Sequence, residues 1–450
     1  MPDTIDGLLR ARASLGDKPF LIDTASRIGY AELEATTREL AAGFLSAGVA
    51  KGSRVGLIMP NGVPWAQVAF ALTRIGAVLV PLSTLLTGPE LVAQLEVASV
   101  RYLISVAEFR SHRYFDDLQS QHADLPALRA IWHADELPTG GSSAAVDALT
   151  DTVVAADPLL VMFTSGSSGP PKGVIHSHGN ALAAVRAGLS ARRIDTETRL
   201  YVPMPFFWVG GFGTGLLSVL IAGATLVTEA FPDPVSTLRL MERERVTSFR
   251  GWPAQAEALA RHAAELRADL SALQPSSLQA LLPPDQRAAP GARANLLGMT
   301  ESFGPYCGYP MDTDMPRSAW GSCGKPFDGV DVRIVDPSTG EPVPAGSVGE
   351  IQIRGPQTLR GICRRSREDL FTLDGYYHTG DLGRLDDDGF LFYHGRSDDM
   401  FKVSGASVYP SEVESALREI DGVRSVFVTA VGGDVGAAVV GGIGIEKLRA

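Results

Sequence analysis

Cysteine is scarce. Only Cys307, Cys323 and Cys363 occur in 450 residues, too few for a disulfide framework and in keeping with a reducing, cytoplasmic setting. Basic tracts are missing as well. With 40 Lys and Arg against 51 Asp and Glu, and a net charge of −11, the chain is not built to neutralise a nucleic-acid backbone by bulk charge. Small anions are a separate matter, since they need only a local nest of donors. Met1 to Arg10 lacks a basic stretch followed by an apolar one, so no secretory signal is expected. The 48 Gly and 29 Pro show no fixed period, which excludes a collagen-like chain. The patterns H-E-x-x-H and G-x-S-x-G are absent too, which weakens metalloprotease and serine-hydrolase readings.

What is present suits a folded protein of about three domains or subdomains. Apolar residues make up 45% and charged residues 20%, enough to fill a core when about three quarters of the surface is buried. Tyr201 to Thr228 carries no charge and is long enough to span a bilayer. However, Pro203, Pro205, Gly210, Gly211, Gly213 and Gly215 crowd its first half, so a buried loop and a core helix are expected instead.

Along the chain, Ala31 to Ala47 has helical apolar spacing and stops at Gly48. Arg54 to Met59 reads as a strand, Asn61 as the cap of a helix through Pro64 to Ile75, and Ala77 to Val80 as the returning strand. That is a βαβ unit, hence a parallel sheet flanked by helices. Leu159 to Phe163 reads as another buried strand. After Asp328 the turn at Pro337 to Gly340 between Val332–Val335 and Glu350–Arg354 predicts a β-rich subdomain. Beyond Gly395, a helix over Ser411 to Ile420 and strands over Val423 to Val431 and Gly436 to Val440 predict a small α+β unit. Asp386-Asp387-Asp388-Gly389 reads as a hairpin turn and not a calcium loop, because Arg384 stands where the first acidic ligand would be. His176 and His178 form no ligand pair and read as structural or loop-positioning.

One segment carries chemistry. Directly after an apolar strand come Thr164-Ser165-Gly166-Ser167-Ser168-Gly169-Pro170-Pro171-Lys172-Gly173. Glycines let backbone N–H groups approach a phosphate closely, hydroxyls add donors, and Lys172 adds a point charge. Pro171 before Lys172, and no Ser or Thr after it, set it apart from the Walker pattern.

This loop resembles the phosphate loop of the AMP-forming adenylate enzymes, which include acyl- and aryl-CoA synthetases, peptide-synthetase adenylation domains and firefly-type luciferases. Three further segments resemble the family in the expected order: Gly298-Met299-Thr300-Glu301, Tyr376-Tyr377-His378-Thr379-Gly380-Asp381, and Gly395-Arg396-Ser397-Asp398-Asp399. The resemblance implies that Thr164 to Gly169 and Lys172 hold phosphates, that Leu297, Gly298, Met299 and Thr300 border the nucleotide, and that Asp381 takes the ribose hydroxyls. It further implies Mg²⁺ on Glu301 and Thr164, catalytic roles for Thr300, Glu301 and Lys172, and Arg396 at the ribose–phosphate region. Phe207, Trp208, Gly210, Ser302 and Phe303 would line the acid pocket, and Asp398 would be the hinge.

Trp208 stands where the family often carries His after an aromatic residue, and an indole there favours a hydrophobic acid, fatty or aryl. The family's Gly-Gly-Ala strand is not recognisable between Leu270 and Gly298, and Leu297 replaces an aromatic residue. The chain also stops soon after Asp398, without the lysine that the family brings to the α-phosphate, so a shortened C-terminal unit is expected. The expected fold is α/β: a large N-terminal domain (1–396) of parallel-type sheets and flanking helices, with a β-rich subdomain at about 328–395. A small partial α+β cap (397–450) follows. The expected activity is ATP-dependent acid–CoA ligation with CoA as co-substrate. Loading of a carrier protein and an inactive nucleotide-binding pseudoenzyme are the alternatives.

Overall fold

The computed structural model describes residues 2–164, 171–399, 401–403, 406–408, 410–418, 420–431 and 434–442. Ser165, Gly166, Ser167, Ser168 and Gly169 lie outside the described residues.

The predicted βαβ unit forms. Strand Arg54–Ile58 leads into helix Val63–Arg74 and returns as the parallel strand Val78–Pro81. These strands sit in a seven-stranded sheet with Tyr102–Ser105, Ala130–His133, Pro158–Thr164, Lys172–Ser177 and Gly361–Ile362. Lys172–Ser177 runs antiparallel to both of its neighbours. A second, five-stranded sheet orders Ser248–Phe249, Arg199–Tyr201, Thr225–Val227, Pro19–Ile22 and Arg27–Gly29. Apolar residues of both sheets, such as Leu57, Leu79, Leu160, Leu21, Leu200 and Leu226, share one core with the helix Val63–Arg74. That helix buries Val63, Trp65, Ala66 and Val68 through Arg74, as expected of a helix covered on all sides. Arg74 is fully buried and is paired with Asp6 Oδ1 at 2.7 Å and Glu34 Oε1 at 2.8 Å.

Asn61 is not the cap of this helix. Its Nδ2 donates to the Met204 carbonyl at 3.0 Å, and its Oδ1 accepts from the Phe206 N–H at 2.8 Å. The Val63 N–H is taken instead by Asp23 Oδ2 at 2.8 Å. A distant carboxylate therefore does the capping, while Asn61 fastens the Met204–Phe206 loop.

Tyr201 to Thr228 folds as expected: a loop, a π-helical stretch Gly210–Leu217, a short helix Ser218–Ala222 and strand Thr225–Val227. Among the described residues no helix is long and apolar enough to cross a membrane. Downstream, Asp331–Val335, Gly349–Arg354, Tyr377–Leu385 and Leu391–Arg396 form an antiparallel sheet. Asp386 closes its last turn, its Oδ1 accepting from the N–H groups of Asp388 and Phe390 at 3.1 and 2.8 Å. Beyond Asp398 come a short hairpin (Phe401–Val403 and Ala406–Val408), helix Pro410–Arg418 and a long hairpin, Val423–Val431 with Asp434–Gly441.

Candidate active site

Thr164 ends one central strand and Lys172 begins the next, and the two are direct cross-strand partners. Both ends of the Gly/Ser segment are therefore fixed by the sheet. The Lys172 cation acts on two carboxyls across the site, Glu301 and Asp398, favouring the ionised form of each.

Glu301 sits in a tight turn, Thr300–Ser302, between the antiparallel strands Leu297–Met299 and Gly304–Gly308. Phe303 (φ +53°) and Gly304 (φ +110°) reverse the chain. The Ser302 hydroxyl accepts from the Met299 N–H at 3.2 Å and lies 2.7 Å from the Gly304 carbonyl, to which it donates. A Cβ on Gly298 would stand 2.4 Å from the Gly304 oxygen, so this close approach of two backbones requires glycine at 298.

His176 holds the same turn from below. Asn180 Nδ2 donates to His176 Nδ1 at 2.6 Å, which leaves the proton on Nε2 to donate to the Thr300 carbonyl at 2.8 Å. Burial pushes the imidazole down to about 4, so it is neutral at physiological pH. Its ring meets Phe303 edge-on at 4.8 Å.

The Glu301 carboxyl is buried, and burial pushes its pKa up, opposed among others by Lys172 and by the Tyr377 hydroxyl, which donates to it at 3.4 Å. Tyr377 opens the strand that carries Asp381. Asp381 is the cross-strand partner of Arg396, whose Nη1 reaches the Asp381 carboxylate at 3.3 Å and the Thr379 carbonyl at 2.8 Å. Arg396 Nε also donates to Asp398 at 3.0 Å. Burial raises Asp381 to about 6 despite the opposing Arg396 charge. Lys172, Glu301, Asp381, Arg396 and Asp398 thus gather as one cluster of alternating charge.

Beside this turn opens a cavity of about 560 Å³. Gly298, Met299 and Gly304 border it, and Met204, Val209, Trp252 and Leu278 give it apolar walls. Gly210 lies on its lining. Ser302 and Phe303 are not on this lining. Ser302 is fully buried with its hydroxyl consumed by the turn, and Phe303 is 2% exposed and packed between His176 and Phe212. Phe207 is likewise buried rather than lining the cavity, and Trp208 is 43% exposed, with its ring set edge-on at 6.0 Å to Trp252. Leu297 turns toward the core under the β-rich sheet, while its neighbour Leu296 lines the cavity.

Sequence reasoning missed Trp252, Arg192 and Arg250, all on the cavity lining. One signal was available: Arg250 and Trp252 directly follow the parallel strand Ser248–Phe249, and ligand sites in α/β folds gather at the carboxyl ends of such strands.

A family model described as AMP-binding enzyme matches residues 9–363. The chain is 34% identical over 421 residues to feruloyl-CoA synthase of an Amycolatopsis species, covering 91% of this chain and 83% of that protein. It is 30% identical over 414 residues to indoleacetate–CoA ligase of Aromatoleum aromaticum, covering 89% and 80%. The solved fatty acyl CoA synthetase of Mycobacterium tuberculosis superposes with a TM-score of 0.78 at 25% identity, covering 99% of this chain and 90% of that one.

Proposed function

The chain belongs to the AMP-binding enzyme family, and from that premise we propose that it activates a hydrophobic carboxylic acid, fatty or aryl, at the charge cluster described above. It is an AMP-forming acid–CoA ligase of the acyl-CoA synthetase type, with ATP and CoA as co-substrates. In the first half-reaction a carboxylate oxygen attacks the α-phosphorus of ATP, an O–P bond forms, and pyrophosphate leaves with its bridging oxygen. In the second, the CoA sulfur attacks the acyl carbon, the bond to AMP breaks, and the thiol proton passes to solvent.

Transfer at phosphorus is mainly a matter of positioning and charge stabilisation. Lys172 supplies a cation at the foot of the Gly/Ser segment. The Asp381 carboxylate accepts from the ribose hydroxyls, and Arg396, tied to both Asp381 and Asp398, carries positive charge along the sugar–phosphate edge. Thr300 donates to the α-phosphate, its backbone held by His176. Glu301 and Thr164 are oxygen donors that fit Mg²⁺, a hard cation taking one or two carboxylates besides phosphate oxygens. When bound, the ion neutralises phosphate charge. Asp398, at the end of the β-rich sheet, is proposed as the hinge between 1–396 and the unit after it. Cys307, Cys323 and Cys363 are free thiols, which supports a cytoplasmic setting.

The observation that carries this reading is the meeting of Lys172, Glu301, Asp381 and Arg396 beside an apolar-walled cavity that reaches Met299. The names of the relatives, feruloyl-CoA synthase and indoleacetate–CoA ligase, support an acid of apolar body. Incubation with ATP, CoA and a panel of fatty and aryl acids should yield acyl-CoA, AMP and pyrophosphate. Release of ADP, or turnover that ignores the acid, would overturn it.

A further inference from the structure

Three buried arginines in this protein are treated very differently. Arg74 has two carboxylates within 2.8 Å. Arg192 and Arg250, 2% and 5% exposed, have none among the described residues. Arg192 donates only to neutral acceptors: the Gly188 carbonyl at 3.0 Å, the Val185 carbonyl at 3.0 Å and the Ser218 hydroxyl at 2.9 Å. Arg250 donates to the carbonyls of Ser276, of Phe249 at 3.3 Å and of Arg192 at 2.6 Å. Its Nε is buried and finds no acceptor among the described residues. Burial alone presses Arg192 down to about 10, and burial with the like charge of Arg192 presses Arg250 down to about 9.

Two guanidinium groups side by side in a low-dielectric interior without a counter-charge are costly. The carbonyls explain part of the arrangement: Val185 and Gly188 lie near the C-terminal end of helix His178–Leu189, where a cation is favourable. They do not explain Arg250, which sits past a strand end rather than a helix end. Both residues are on the lining of the same 560 Å³ cavity whose other rim is Gly298–Met299, next to Thr300.

We propose that the acid carries, away from its reacting carboxylate, a second oxygen acceptor that Arg250, backed by Arg192, receives. The group is a hydroxyl, a carbonyl or a second carboxylate on an otherwise apolar body. This rests on the acid–CoA ligase reading and narrows it. Trp252, Met204 and Leu278 embrace the body of the acid, and the guanidinium pair selects what it bears. The plain hydrocarbon analogue fills the same walls but leaves the buried charges unanswered, and discrimination of this kind is steep.

The test is calorimetric binding of matched acids to the full chain, a readout independent of CoA transfer. The series is 3-phenylpropanoate, 3-(4-hydroxyphenyl)propanoate and 3-(4-carboxyphenyl)propanoate, with octanoate and octanedioate as the open-chain pair. At least one oxygen-bearing acid should bind about tenfold or more tightly than its plain parent, the range set by one buried donor left unpaired. That gap should collapse in Arg250→Met, and in Arg250→Leu if the first variant does not fold. The tighter member identifies the acceptor as hydroxyl or carboxylate. Plain acids binding as well as all their oxygenated partners would overturn the proposal, as would a gap that survives both substitutions. If no acid binds, plain ones included, the ligase reading itself falls.

Discussion

Replacement of Asp381 by Asn separates the cost of the site from its use. The carboxyl is 7% exposed, and burial raises it from an ordinary value near 3.9 to about 6 in spite of Arg396 at 3.3 Å. Because the folded value lies above the unfolded one, the contribution of this group to stability is complete below about pH 3.9 and is lost as pH rises through about 6. The gap between the two values corresponds to about 3 kcal/mol, so ionised Asp381 burdens the free protein at neutral pH by at most that amount. Asp381→Asn removes the burden while Arg396 keeps Asp398 at 3.0 Å. The variant should therefore melt above the parent at pH 7.5, with the difference fading toward pH 4. Ribose recognition should suffer in the same variant, since the amide offers one acceptor oxygen where the carboxylate offers two. Adenosine is the proper probe, because the phosphates of ATP titrate in the same range. Its affinity for the parent should fall as pH drops through about 6 and should be weak and flat with pH in Asp381→Asn. A variant that is less stable than the parent at pH 7.5, or adenosine binding to the parent that ignores pH between 7.5 and 5, would refute the reasoning.

Three further outcomes are expected. Lys172→Ala should weaken ATP binding much more than AMP binding, as measured by calorimetry, because the proposed site uses its cation for the outer phosphates; equal losses would remove it from that place. Glu301→Gln should raise the Mg²⁺ concentration needed for half-maximal activity, since a neutral amide is a poorer ligand than a carboxylate, and an unchanged Mg²⁺ titration would count against the assignment. Trp252→Gly should broaden the acid profile toward bulkier members, a methylene being worth about 1–3 kcal/mol in such a pocket. Trp208→Gly, at the other indole of the same pair and off the cavity lining, should leave the profile nearly unchanged.

The parts of the fold that follow from local pattern were legible. Apolar spacing predicted the βαβ unit from Arg54 to Val80, and the turn at Pro337 to Gly340 a β-rich subdomain after Asp328, because both patterns are set by neighbours in sequence. Legibility ended where partners lie far apart along the chain. Asn61 obeys the local rule for a cap, but its amide is taken by Met204 and Phe206, 143 and 145 residues away. The left-handed turn at Phe303, which buries Ser302 and Phe303, has no local signal in the residues around it. His176 reads only as a lone histidine until the fold brings it to the Thr300 carbonyl. The place of Arg250 just after a strand was open to reading, but the burial of Arg192 and Arg250 away from carboxylates exists only in three dimensions.

The central claim is that this chain makes an acyl-adenylate from ATP and a hydrophobic acid. Isotopic exchange between labelled pyrophosphate and ATP tests it most directly, because it requires reversible attack on the α-phosphorus and nothing from CoA. The account predicts label entering ATP only when an acid is present, with the extent varying from acid to acid and abolished in Asp381→Asn. Exchange that proceeds equally without acid, or none with any acid while ATP and acid both bind, would contradict it.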